Sequence, residues 1–192
     1  MKDLARKLLS EPKILRGLSP EDCFDIIVSV IEASDWYLSE LIESVSEIID
    51  LVRDKIEKLG ISLFEDEIGL RRVLSYPWSH ILPESVLSRA KDELIKRSLK
   101  EVEELLEKEK YEELMRFLGE LPESVTEELI VNLVWPYVKK RIDEKLAVNP
   151  EEALALTEDL LKKTWYSSSL MPLRRRLQGK RLSIERKLQK SS

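Results

Sequence analysis

A chain of 192 residues with 36% charged side chains, five glycines and eight prolines is long enough for one domain or for two small helical lobes. It lacks the material for the Gly-rich turns of sandwiches and barrels, so the composition reads as all-α. The net charge of −5 hides a split: from Leu170 onward eight basic residues stand against one acid, which puts +7 there and −12 on residues 1–169.

The single cysteine, Cys23, excludes an internal disulfide. No apolar run approaches the ~18 residues that cross a bilayer, and MKDLARKLLSEPK at the start has no uninterrupted apolar core of signal-peptide type. A cytoplasmic location is expected. Two Asn and two Gln in a chain this rich in Glu and Lys also lead us to expect a thermophilic source.

In chain order, the first strong helix start is LSPEDCF. Ser19 can cap, Pro20 suits the first helical position, and Glu21 and Asp22 face the positive end of the dipole. Cys23, Ile26, Ile27, Val30 and Ile31 then recur at helical spacing. Residues 35–59 read as one long helix ended by Gly60, with a stripe wider than a two-stranded seam needs, which favours a multi-helix core over a coiled coil. A short helix follows around Glu65 to Leu74, and Pro77 in YPWSH forbids a continuous helix and suggests a lobe boundary.

LPESV occurs at residues 82–86 and again at 121–125, and at that offset of 39 ten positions match between 82–121 and 121–160. A degenerate repeat of helical hairpins in the C-terminal half is one reading. The favoured one is that the same helix-start signal occurs twice, with Ser124 and Glu127 also able to form a capping box. Val86 to Lys110 then reads as a long helix, and YEELMRFLGE as a short one closed by Gly119. Pro136 should kink a helix or start one, and Asn149 with Pro150 repeats the start seen at Ser19. The expectation is seven to nine helices in a bundle of two lobes, residues 1–78 and 79–169, with a basic amphipathic segment at 170–192.

The inventory for catalysis is thin. His80 is the only histidine, which excludes two-histidine metal sites, and it reads as a structural or surface residue. Cys23 lies on an apolar stripe and reads as an inert core thiol. No Gly-rich phosphate loop occurs. Carboxylates interleaved with Lys read first as solvated faces, so no cofactor or metal is expected, and a metal-dependent enzyme built on helical carboxylates is the third reading. Trp36, Trp78, Trp135 and Trp165 are expected mainly to plug core corners, with an exposed docking pocket as the alternative.

The C-terminal segment carries the sharpest pattern. Leu170, Leu173, Leu177, Ile184 and Leu188 keep helical spacing while Arg174, Arg175, Arg176, Lys180, Arg181, Arg186 and Lys187 crowd the remaining positions. Such a segment docks on an acidic body, neutralises phosphates or lies on another anionic surface. The expectation is a non-catalytic adaptor or assembly subunit with a protein partner and room for oligomerisation. The alternative is a direct nucleic-acid binder using residues 170–192.

Overall fold

The computed structural model describes residues 12–33 and 39–191, and among them there is no strand. The architecture is an all-α multi-helix bundle. The chain divides into two compact units, Met1–Ala90 and Lys91–Ser192, with the division inside one helix, Glu84–Glu107.

In the first unit a 3-10 helix, Pro12–Gly17, precedes α1, Pro20–Ala33. Ser19 caps α1 as its sequence predicts, its Oγ accepting the Asp22 N–H at 3.0 Å. Cys23, Ile27, Val30 and Ile31 are buried on one side of that helix. α2 spans Ser39–Ser62; residues 35–38 of the expected 35–59 helix, Trp36 among them, lie outside the described residues. Gly60 does not end α2. The helix runs through it because a Cβ there would come within 2.8–2.9 Å of the Leu82 methyls, so the missing side chain serves close packing instead of a C-cap. Lys55 donates to the Arg16 and Leu18 carbonyls at 2.7 and 2.6 Å, tying the 3-10 helix to α2.

A 3-10 turn, Leu63–Glu65, leads into α3, Glu67–Val73, capped by Asp66, whose Oδ1 accepts the Gly69 N–H at 2.6 Å. The Tyr76–Pro77 peptide is cis, and α4, Trp78–Ile81, is a single turn. Trp78 is buried, its ring stacked on Phe24 at 3.7 Å between centroids.

α5, Glu84–Glu107, and α7, Glu123–Leu129, both start inside an LPESV. The pentapeptide does the same work twice. Pro83 O accepts from the Val86 and Leu87 amides, and Pro122 O from those of Val125 and Thr126. In each copy Leu and Val are buried while Glu and Ser are exposed. The expected Ser124–Glu127 capping box is not formed, because the helix begins at Glu123 with Pro122 as its cap.

Between those two helices lies α6, Tyr111–Glu120. Gly119 sits within it, where a Cβ would meet Ser167 and Tyr166 at 3.1 and 3.2 Å. After α7 the chain makes a π-helical turn, Ile130–Val134, and continues as α8, Trp135–Val148, with Pro136 in its first turn. The Trp135 N–H bonds to the Ile130 carbonyl, five residues back. A proline has no N–H and its ring crowds the carbonyl four residues back, and the widened turn accommodates both. α9, Pro150–Lys163, is capped by Asn149, and after the 3-10 turns Thr164–Tyr166 and Ser168–Leu170 the chain ends in α10, Met171–Ser191. α9 packs against both α8 and α10. Leu118, Ile142, Leu160, Leu173 and Leu177 are fully buried in the second unit.

Candidate functional site

The apolar stripe of the basic segment behaves as its spacing predicts over most of its length: Leu170, Leu173, Leu177 and Ile184 are completely buried in the second unit, and Leu188 is half-buried. The seven basic residues do not form one patch. Arg174 points inward and is 6% exposed, donating to the Thr164 and Ser167 carbonyls and, at 3.4 Å, to the Thr164 hydroxyl. Arg176 lies 6.0 Å from the Trp135 ring, and Lys180 pairs with Asp143, so both are laid along α8. Arg181 pairs with Glu185 at 3.2 Å. Arg175, Arg186 and Lys187 are at the exposed surface.

Arg174 organises the junction between α9 and α10. Its guanidinium carbon sits 4.1 Å from the Trp165 ring centroid, and its Nη1 is 4.0 Å from the Met171 sulfur. One face of Trp165 is thereby occupied from within while the residue remains 66% exposed, and neighbouring Tyr166 is 63% exposed. The tight turn that carries these rings and the one that follows it are fixed by hydroxyls. Thr164 Oγ1 donates to the Leu161 carbonyl at 2.7 Å, and Ser167 Oγ accepts the Ser169 N–H at 3.3 Å.

Beneath Tyr166 runs an open groove of about 390 Å³ lined by Glu112, Met115, Arg116, Lys162, Lys163 and Tyr166. Lys163 pairs with Asp159, and Arg116 lies 3.9 Å from Glu112. The Tyr166 ring is held against α6 because position 119 is glycine.

Of the three tryptophans among the described residues, one meets the core expectation, one departs from it in degree and one reverses it. Trp78 is buried and Trp135 half-buried, but Trp165 is turned outward with Tyr166. The one local signal is polar flanking: KKTWYSSS sets the aromatic pair between two lysines and three serines.

Elsewhere, Cys23 is buried with its thiol donating to Leu15 O at 3.2 Å, and burial pushes its pKa up. His80 is exposed beside Tyr76, with ring centroids 5.4 Å apart. Burial, with the Glu109 carboxylate next in weight, pushes the Tyr111 phenol up to about 12. Among the described residues no group of three or more His, Cys, Asp or Glu side chains is placed to hold a metal ion. No helix among them is long and apolar enough to cross a membrane. No protein-family model matches the chain, and neither a curated protein nor a solved structure shows significant similarity to it.

Proposed function

We propose that the protein is non-catalytic and works by contact, as an adaptor or subunit of a larger assembly, with the Trp165–Tyr166 platform as its docking face. The observation that supports this reading is the outward presentation of two aromatic rings on a built support. An aromatic side chain buries roughly 150–250 Å² when it enters a core. Leaving about two thirds of that area in water forgoes about 3 kcal/mol per ring at ~25 cal/mol per Å². Here the second unit also commits a buried arginine to holding one of those rings in place. Trp165 and Tyr166 exposed side by side, with Met171 also at the surface, match the aromatic and Met enrichment of interface centres.

In this reading the basic C-terminal segment contributes by support: α10 docks through its leucines and delivers Arg174 to the platform. Lys162, Lys163 and Arg116 give the face a cationic border, so the partner presents negative charge. A cytoplasmic, thermophilic setting belongs to the same proposal and rests on composition alone.

The test is capture by immobilised full-length protein from a cell extract of its source, with and without nuclease, beside a Trp165→Ser/Tyr166→Ser variant of equal thermal stability. Retained partners that vanish with the variant support the proposal. An identical set from both proteins would remove the platform from it.

A further inference from the structure

We propose that the platform takes single-stranded nucleic acid, with a base stacked on the outer face of Trp165 and neighbouring phosphates held by Lys162, Lys163 and Arg116. The inference rests on the contact reading above and names the partner for the same face.

Three observations carry it. First, Trp165 offers one open ring face and no other, because the Arg174 guanidinium fills the space behind it at 4.1 Å. Arg174 is itself pinned by two carbonyls and a hydroxyl, so the ring is ordered before any partner arrives and stacking on it costs little further entropy. Second, cations line the groove under the neighbouring ring, Tyr166. Lys162 and Lys163 belong to the last turn of α9, directly before the aromatic pair, and Arg116 closes the other wall of the groove. The carboxylates there, Glu112 and Asp159, lie against Arg116 and Lys163, so the groove itself sets three cations against two acids, while Glu109, Lys110 and Glu113 line the adjoining surface. Third, the groove has no apolar depth. Met115 is its one aliphatic liner and is 1% exposed, so a peptide's aliphatic anchor finds no pocket, whereas a flat base needs only a flat ring. A duplex keeps its base faces stacked inside and cannot use the platform, which selects single strands.

Magnitudes separate this site from the basic helix. Three phosphate contacts on a single strand give a slope of log affinity against log salt near −2, at ~0.7 per contact, while the seven cations predicted on α10 would give about −5. The second unit carries 21 basic and 20 acidic residues, a net of +1, so there is no broad positive field to steepen the slope.

The experiment uses full-length protein with fluorescein-labelled oligo(dT)20 and oligo(U)20 at 50 mM salt, read by anisotropy and by quenching of tryptophan emission. The expected result is saturable binding with quenching and a salt slope near −2. Trp165→Ala should weaken it about tenfold or more. Lys162→Gln, an exposed change that leaves the core untouched, should reduce the slope by about 0.7, and Arg186→Gln on α10 should leave affinity within about twofold. Absence of binding at 100 µM protein, preference for a 20-base-pair duplex, or a Trp165→Ala variant that binds like the parent would overturn the inference. Poly-L-glutamate separates the two levels: if it binds through Trp165 and the oligonucleotides do not, nucleic acid is wrong and docking on an anionic partner stands. Should neither polymer bind and extract partners ignore Trp165, both fall.

Discussion

Replacing Arg174 by alanine tests whether a cation built into the core holds the α9–α10 junction. The guanidinium serves the Thr164 and Ser167 carbonyls and the Thr164 hydroxyl, and Thr164 is completely buried. Hydrogen bonds from a charged donor are worth about 1.5–3 kcal/mol each, and a buried acceptor stripped of its donor costs about 1–3 kcal/mol. Loss of the stack under Trp165 adds about 0.5–2 kcal/mol. The desolvation that Arg174 suffers in the folded state offsets part of this sum, so Arg174→Ala should destabilise the second unit by about 3 kcal/mol. Arg174→Lys keeps the charge and loses the planar fork that reaches acceptors in several directions, so it should recover no more than about half. Urea unfolding followed by far-UV circular dichroism measures the loss, and the Trp165 band in near-UV circular dichroism should collapse in the alanine variant before unfolding begins. If Arg174→Ala unfolds within about 0.5 kcal/mol of the parent with that band intact, water satisfies the carbonyls as well as the guanidinium does, and the platform is not built as described.

Glycine positions give a contrasting pair. A Cβ at Gly69 would lie 1.9 Å from the Leu63 carbonyl oxygen, so Gly69→Ala must move backbone and should cost the first unit about 3 kcal/mol or more, whereas Gly179 in α10 has nothing within 4 Å and its alanine variant should gain about 0.5–1 kcal/mol. Thermal unfolding of both variants orders them, and the reverse order would refute the packing at Gly69. Tyr111 predicts an alkaline effect. Its phenol titrates near 12 when folded and near 10 when unfolded, so the unfolded chain releases its proton first and stability falls as pH rises from 10 through 12. Tyr111→Phe should flatten that part of the decline, read as urea midpoints at pH 9 and 11.5 in both proteins. Cys23, buried with a raised pKa, should react with a disulfide reagent only as the first unit unfolds, and rapid labelling of the native protein would contradict its placement.

Most helices were legible because their signals are local. Ser19 and Asn149 cap where the sequence says they should, and Leu173, Leu177 and Ile184 of α10 are buried at their expected spacing. Glycine was less readable, since Gly60 and Gly119 look like helix terminators in one dimension and become close-approach points only when Leu82, Tyr166 and Ser167 arrive from distant sequence. The orientation of each cation in the basic segment was unreadable for a related reason. Eight cations in 23 residues describe a charge, but which of them faces outward depends on phase relative to the buried leucines, and Arg174 follows Leu173 into the core while Arg175 turns away from it. Once Arg174 is inside, the cheapest cover for its planar cation is an aromatic face, and Trp165, nine residues earlier in the turn that follows α9, supplies it. That exchange explains why a tryptophan expected in the core stands at the surface: its inner face is already in use, and its outer face is what the molecule has left to offer.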